Sequence, residues 1–95
     1  MQTKVTFRHM NGNHPELHDL AVETADSFRK FHEDIISTNV EFINEAIKTV
    51  QFTLHIQGAT IVGKDSTDDF HKSLNEASEK VKRQLKKWKT KRIAR

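Results

Sequence analysis

A chain of 95 residues with a formal net charge of +3 has room for one small domain with a single thin core. At 35% hydrophobic the chain is not so depleted of apolar residues that it must be disordered, and the absence of cysteine excludes disulfides and thiolate zinc sites. No apolar run approaches the roughly 18 residues of a membrane span, and the N-terminus lacks a signal-peptide apolar segment, so we expect a cytoplasmic protein with no membrane partner.

The N-terminal part of the chain predicts a strand followed by an amphipathic helix. Residues 1–8 alternate between polar and apolar side chains, which is the pattern of a half-buried strand. Asn13 or His14 is expected to cap a helix that spans about residues 14–32. Its apolar positions recur at steps of three and four, and therefore share one face: Leu17, Leu20, Ala21, Thr24, Phe28 and Phe31.

The middle of the chain predicts three strands joined by tight turns. Residues 36–42 and 49–57 alternate in polarity and are separated by a hairpin at residues 44–46. Gly58 marks the next turn, and residues 60–64 form a short fourth strand. The side chains expected to point into the core are Ile36, Thr38, Val40, Phe42, Val50, Phe52, Leu54, Ile56 and Ile61.

A second helix is predicted after residues 65–69, where five residues suited to helix caps follow one another. Asp68 and Asp69 are interpreted as caps and not as a catalytic carboxylate pair. Trp88 is expected to close the core, and the alternative is partial exposure that lets it stack on a nucleotide. The apolar stripe of this helix consists of Phe70, Leu74, Ala77, Val81, Leu85 and Trp88.

The order β-α-β-β-β-α predicts an α+β fold. Each predicted helix has one apolar face, and the predicted sheet has one apolar and one polar face. A two-layer sandwich buries all the apolar faces together, with both helices on the same face of a four-stranded sheet. Because the sequence contains no repeat, linker or low-complexity tract, residues 1–95 are expected to form one domain.

The net charge of +3 conceals a strong asymmetry along the chain. Residues 1–70 contain six Lys and Arg against eleven Asp and Glu, a net charge of −5. Residues 71–95 contain ten basic and two acidic residues, a net charge of +8. Such a division is informative about binding partners and not about the fold.

The basic residues concentrate on the C-terminal half of the last helix. The negative end of a helix dipole explains two or three cations there, but not nine basic residues between positions 80 and 95 without an acid, so a phosphate-rich partner is predicted. The cations fall on two flanks of the apolar stripe: Lys80, Arg83, Lys87 and Lys91 on one, Lys82, Lys86 and Lys89 on the other, with Arg92 and Arg95 at the end.

The predicted sheet indicates how nucleic acid would be contacted. Sheets that stack RNA bases carry exposed aromatic side chains. Here Phe7, Phe42 and Phe52 are assigned to the buried face, and the outward row of the third strand is polar. We therefore predict recognition of the shape and backbone of folded RNA by the edge of the helix.

No residue pattern indicates catalysis or a bound metal. His14 and His18 lie four residues apart and could chelate one ion, but a structural site needs further ligands. The three glycines form no phosphate-binding loop or nucleophile elbow. We predict no metal, no cofactor and no enzymatic activity, and a surface role for His55.

Two segments together resemble a known family. Residues 53–58 (TLHIQG) and 80–91 (KVKRQLKKWKTK) are similar to the Thr-Leu-His-Val-x-Gly and Lys-x-x-Arg-Gln-Leu-x-Lys-x-Lys-x-Lys patterns of the ribosome hibernation promoting factors. These are also called ribosome-associated inhibitor or sigma-factor modulation proteins. Asp69 matches the acid that opens the second helix of the family.

The resemblance implies a fold similar to double-stranded-RNA-binding domains and a ribosome-binding translational silencer. Such a protein occupies the small-subunit channel over the tRNA and mRNA sites in starved or stationary cells. The chain resembles the short members, without the C-terminal dimerisation domain, and is expected to be a monomer off the ribosome. The implied contacts to ribosomal RNA are Lys80, Arg83, Lys87, Lys89 and Lys91, and their basic neighbours Lys82, Lys86 and Arg92 extend the same predicted surface.

The first helix departs from the family pattern. Members usually carry lysines in its middle, where this chain has Thr24 and Ser27 among Glu23 and Asp26, and a family tyrosine is replaced by His71. Binding is then weaker than in typical members or directed elsewhere. Two alternatives stay open: a protein-interaction module that uses the cationic helix or the acidic N-terminal part, and a generic binder of structured RNA.

Overall fold

The computed structural model describes residues 2–12, 14–32 and 34–93, with the side chains of residues 89–93 excepted. The elements follow the predicted order, with one short 3₁₀ helix added after the first α-helix. Their bounds are β1 (Gln2–Arg8), α1 (Pro15–Ser27), the 3₁₀ helix (Phe28–Lys30), β2 (Ile35–Asn44), β3 (Lys48–Ile56), β4 (Ala59–Thr67) and α2 (Phe70–Ile93).

The four strands form one sheet in the order β1-β2-β3-β4. β1 runs parallel to β2, because α1 carries the chain back across the sheet between them. β2, β3 and β4 are joined by tight turns and pair antiparallel. Gly58 adopts φ +89° in the turn between β3 and β4, a left-handed conformation that favours glycine.

Both helices cover the same face of the sheet, which confirms the predicted two-layer α+β fold. Phenylalanine rings join the layers: Phe28 of the 3₁₀ helix meets Phe52 of β3 edge-on at 5.3 Å between centroids, and Phe70 of α2 meets Phe42 of β2 at 5.5 Å. The buried core contains Ala21, Ala25, Phe28, Ile35, Val40, Phe42, Val50, Phe52, Leu54, Ile56, Ile61, Leu74, Ala77, Val81 and Leu85.

The first helix is shorter than the predicted span of about residues 14–32. α1 ends at Ser27, and the chain tightens into the 3₁₀ helix, where the amide of Phe28 donates to the carbonyl of Ala25 three residues earlier. This tightening directs the Phe28 ring into the core. The apolar periodicity predicted the buried Ala21 and Phe28 but not the buried Ala25, and Leu17, Leu20 and Phe31 are only partly buried. It also does not distinguish an α-helix from a terminal 3₁₀ turn.

The two helices begin differently. His14 occupies the cap position of α1 without a side-chain capping bond, and Asn13 lies outside the described residues. In α2 the carboxylate of Asp69 accepts a hydrogen bond from the Lys72 amide at 3.3 Å. Asp68 is exposed and makes no such bond in the described structure. Of the two predicted caps, Asp69 is therefore the one that caps α2.

Strand β2 contradicts the predicted inward position of Ile36. Ile35 pairs with Ile56 and Ser37 with His55, so two β2 residues oppose one residue of β3 in a β-bulge. The bulge places Ile35 in the core at 6% exposure and leaves Ile36 60% exposed. The alternation predicted for residues 36–42 assumed an uninterrupted ladder.

Strand β4 is longer than the predicted residues 60–64. Asp65, Ser66 and Thr67 continue the strand instead of serving as helix caps, because they pair with the first residues of the long strand β3. The hydroxyl of Ser66 lies 2.7 Å from that of Thr49 across this pairing. The extension brings the end of β4 close to the first turn of α2, where the hydroxyls of Thr67 and Ser73 are 2.7 Å apart.

The packing of α2 on β4 depends on Gly63. A Cβ atom at this position would lie 2.5 Å from Val81 Cγ2 and 2.8 Å from the carbonyl oxygen of Ala77. The helix therefore rests almost directly on the strand backbone. No local sequence pattern predicts this role of Gly63.

Candidate nucleic-acid interface

Helix α2 packs on the sheet with the predicted apolar stripe. Leu74, Ala77, Val81 and Leu85 are buried, and Trp88 is half-buried against the same core. Trp88 therefore packs against the core as predicted, with part of its side chain exposed as in the alternative interpretation. Its indole Nε1 is buried without a hydrogen-bond partner among the described residues.

One flank of α2, formed by Lys80, Arg83 and Lys87 and called here the β4 flank, faces the edge of the sheet. The Lys80 Nζ atom donates to the backbone oxygen of Lys64 at 3.0 Å and lies 3.9 Å from a carboxylate oxygen of Asp65. Arg83 and Lys87 are exposed and follow Lys80 at steps of three and four, so the three cations form one ridge along the helix.

The other flank, formed by Lys82 and Lys86 and called here the α1 flank, faces the first helix. The Lys82 Nζ atom is 3.8 Å from Glu79, and Lys82 and Glu23 both line a cleft of about 320 Å³ between the helices. The Lys86 Nζ atom lies 5.8 Å from the centroid of the Phe31 ring. The cations of this flank therefore have acidic or aromatic neighbours.

Further basic residues follow Lys87 in the sequence. The backbone of Lys89, Lys91 and Arg92 continues the helix, but their side chains lie outside the described residues, as does the whole of Arg95. The two predicted cationic flanks are therefore described for Lys80, Arg83 and Lys87 on one side and for Lys82 and Lys86 on the other.

Helix α1 presents an acidic outer surface beside this cationic helix. Its exposed carboxylates recur at steps of three and four, and therefore share one face: Glu16, Asp19, Glu23 and Asp26. Thr24 and Ser27, at the positions where the related family carries lysines, are half-buried along the cleft towards α2. The acidic outer surface of α1 offers no site for phosphate.

The histidine that departs from the family pattern lies where the two helices begin. The His71 ring is 3.5 Å from a carboxylate oxygen of Glu16 on α1 and 3.8 Å from one of Asp69 at the start of α2. It thus lies between two carboxylates at the end of α2 opposite to the cationic ridge.

The sheet face opposite the helices, called here the open face, is polar. Phe7, Phe42 and Phe52 all lie on the helix side, as predicted, and Phe7 stacks on Phe42 at 5.1 Å. In the described residues the open face carries no Phe, Tyr or Trp ring, and its aromatic side chain is His55 near the turn to β4. Its central rows contain Lys4, Thr6, Arg8, Asn39, Glu41, Ile43, Thr49, Gln51, Thr53, Val62, Lys64 and Ser66.

His14 and His18, the pair considered as possible metal ligands, each have a nearby hydrogen-bonding partner on the surface. His14 bonds to the carbonyl of Asn11 at 3.0 Å, and His18 lies 3.5 Å from Asp19. Within the described ranges no three His, Asp or Glu side chains are grouped so that they could hold a metal ion. Over the same residues, no helix is both long and apolar enough to cross a membrane.

Comparison with known proteins identifies the family of this domain. The chain has the same fold as a ribosomal subunit interface protein from Coxiella burnetii, with a TM-score of 0.84 and 23% sequence identity; the match covers 95% of this chain and 99% of that chain. It also has the fold of the N-terminal domain of Protein Y from Thermus thermophilus, with a TM-score of 0.80 and 10% identity; this match covers 90% of this chain and 94% of that chain. No curated protein matches the chain. Residues 3–93 match the family described as "Sigma 54 modulation protein / S30EA ribosomal protein", so the chain belongs to this ribosome-associated family.

Proposed function

We propose that this protein is a translational silencer that binds the small ribosomal subunit and occupies its tRNA and mRNA channel in starved or stationary cells. The observation that carries the proposal is the exposed cationic ridge of α2 on a domain that is otherwise acidic. Membership in a ribosome-associated family supports the partner, and the name of the Coxiella relative, a subunit interface protein, supports the location.

The proposed mechanism is occlusion. Lysine and arginine side chains neutralise phosphates of folded ribosomal RNA, and the rigid two-layer domain then fills space that tRNA and mRNA would need. The RNA contacts proposed are Lys80, Lys82, Arg83, Lys86, Lys87, Lys89, Lys91 and Arg92. Since the described open face has no row of Phe, Tyr or Trp rings and carries only His55 as an aromatic side chain, the RNA is recognised by its shape and backbone.

The proposal requires no chemical step. The family is one of ribosome-binding modulation factors and is not a known enzyme family. The protein is proposed to act without a cofactor, to be cytoplasmic because its partner is the ribosome, and to be a monomer when unbound. We also propose that residues 1–95 act as one binding unit.

The proposal is tested first by sedimentation. Lysate from stationary cells is fractionated on a sucrose gradient at low salt, and the protein is expected to co-sediment with small subunits or whole ribosomes. With purified small subunits and about five phosphates neutralised, log K should fall with log salt at a slope of about −4 to −5. A protein that stays at the top of the gradient, or a flat salt response, contradicts the proposal.

The surface is tested by charge reversal on α2. Arg83→Glu with Lys87→Glu should abolish binding and leave the thermal unfolding transition intact, because both side chains are exposed. The matched control is Arg29→Glu with Lys30→Glu in the 3₁₀ helix, also exposed and carrying the same change in charge. Equal losses in the two variants would mean that net charge, and not the ridge, determines affinity.

The acidic outer face of α1 favours a second candidate, binding to a basic protein. Glu23 and Asp26 have no basic partner among the described residues and are exposed on α1. Affinity purification with and without ribonuclease separates the two functions. A protein partner survives digestion, whereas a complex held by ribosomal RNA is lost.

A further inference from the structure

The two flanks of α2 differ in their electrostatic surroundings. On the α1 flank, Lys82 lies beside Glu79 and shares the interhelical cleft with Glu23, and the acidic outer face of α1 follows. On the β4 flank, Asp65 lies 3.9 Å from the Lys80 Nζ atom and Glu76 precedes Lys80 by four residues on the same side of α2, but no acidic helix lies beyond them. A polyanion on the α1 flank would pass within a Debye length, about 8 Å at physiological salt, of several carboxylates.

Hydrogen bonds from side chains of α2 occupy two carbonyl oxygens at the edge of β4, so these oxygens repel an approaching phosphate less. An edge strand normally exposes carbonyl oxygens, whose lone pairs repel phosphate. Here the amide of Gln84 donates to the Val62 oxygen at 2.6 Å, and Lys80 Nζ donates to the Lys64 oxygen at 3.0 Å. The ammonium group of Lys80 thus lies at the strand edge, where a phosphate would meet a cation.

Lys64 extends the cationic ridge beyond that edge. Successive strand residues point to opposite faces, and Gly63 faces Val81 of α2, so the Lys64 side chain points to the open face. Lys64 is exposed, and its register partner on β3 is the uncharged Gln51. Lys87, Arg83, Lys80 and Lys64 therefore form one series of cations from the outer side of α2 around the β4 edge.

Resting on the proposed function, we infer that the bound RNA backbone follows the β4 flank of α2 and continues over the β4 edge, with Lys64 as a phosphate contact. The acidic face of α1 weakens phosphate contacts on the α1 flank, so Lys82 and Lys86 contribute less to binding than the cations of the β4 flank. The interface therefore lies on α2 and β4, and not in the cleft between the two helices.

The decisive comparison is between two lysines at opposite edges of the open face. Lys64→Glu is expected to weaken binding to purified small subunits about 5-fold or more at low salt, and Lys64→Gln should make the salt slope shallower by about 1. Lys4→Glu is the matched control, because Lys4 is exposed on the same face at the β1 edge. Lys4→Glu is expected to change affinity less than about 2-fold, because the β1 edge is separated from the proposed RNA path by the width of the sheet and salt screens charges over that distance.

A second comparison separates the flanks of α2. Lys82→Glu with Lys86→Glu should lose less affinity than Arg83→Glu with Lys87→Glu. Two results would overturn the inferred path of the RNA: equal losses of affinity in Lys64→Glu and Lys4→Glu, or a larger loss of affinity in the Lys82/Lys86 variant than in the Arg83/Lys87 variant. The proposed function would still stand if the Arg83/Lys87 variant no longer bound small subunits. If the wild-type protein binds no small subunits at all, both the function and the path of the RNA are wrong.

Discussion

At the scale of single residues, the contact between β4 and α2 depends on the absence of a side chain at Gly63. An added methyl group would lie 2.5 Å from Val81 Cγ2 and 2.8 Å from the Ala77 carbonyl, so the helix or the strand must move. Overpacking of this kind costs about 1–3 kcal/mol. That exceeds the roughly 0.4–1 kcal/mol that replacing glycine by alanine gains from the unfolded state. We expect Gly63→Ala to lower the free energy of unfolding, measured by urea denaturation.

The control for this prediction is the neighbouring residue. Val62 lies on the same strand, is 45% exposed and points away from α2. Val62→Thr keeps the branched shape and should change stability by less than about 0.5 kcal/mol. If Gly63→Ala proved as stable as the control, α2 would not rest on the strand at this point.

At the scale of elements, the bulge in β2 makes two adjacent isoleucines unequal. Ile35→Ala removes a side chain that is buried in the core, and large-to-small changes of this type cost about 2–5 kcal/mol. Ile36→Ala removes a side chain that is 60% exposed and should cost less than about 1 kcal/mol. Thermal or urea unfolding of the two variants measures the difference.

The same pair of substitutions tests the strand register. An uninterrupted ladder with Ile36 pointing inward would give the larger loss to Ile36→Ala. A common loss in both variants would indicate that the end of β2 is not fixed against β3.

The fold could be predicted from the sequence where one periodicity governs a whole element. The alternation of β3 and the apolar stripe of α2 placed Val50, Phe52, Leu54, Val81 and Leu85 in the core, and the structure confirms each of them. Both patterns report only which face of an element is buried. The element order and the two-layer packing follow from those faces.

The structure differs from the fold predicted from the sequence at positions that are determined by a contact between two elements. The bulge at Ile36 is set by pairing with β3, and the extension of β4 through Thr67 by the length of its partner strand. The close approach at Gly63 depends on where α2 crosses β4. None of these contacts leaves a periodic signal in the local sequence.

The sequence predicted the cationic side chains of the candidate site but not the elements that surround them. The charge of α2 and its division into two flanks are properties of the helix itself, and helical spacing determines them. Which flank faces β4 and which faces α1 depends on the tertiary packing of the helix. Lys64 precedes Lys80 by sixteen residues and lies on a different element, so its proximity to Lys80 required the structure.

At the scale of the whole molecule, opposite charges lie side by side on the helical layer. The outer face of α1 is acidic and the C-terminal half of α2 is basic, and Glu23 and Lys82 line the same cleft. The carboxylates lower the local positive potential that attracts a polyanion. The acidic first helix should therefore weaken the binding of RNA even without touching it.

Neutralising this face tests that effect. Glu23→Gln with Asp26→Asn is expected to raise the affinity for small subunits several-fold at low salt, about 3- to 10-fold on the scale of 0.7–1.4 kcal/mol. The gain should shrink towards 1 M salt, where the Debye length is about 3 Å. Filter binding or sedimentation across a salt series measures it.

A matched pair of acids provides the control. Glu45 and Asp68 are exposed, at the β2–β3 hairpin and before α2. Asp68 lies two residues before α2, and the helix from Phe70 to Lys80 alone spans about 15 Å at 1.5 Å per residue, which is beyond the Debye length at physiological salt. Glu45→Gln with Asp68→Asn changes the net charge equally and should leave affinity nearly unchanged at physiological salt, the point of the salt series at which the two pairs are compared. Equal gains in both pairs would show that total charge governs binding, whereas a gain confined to the α1 pair would show that the arrangement of charge does.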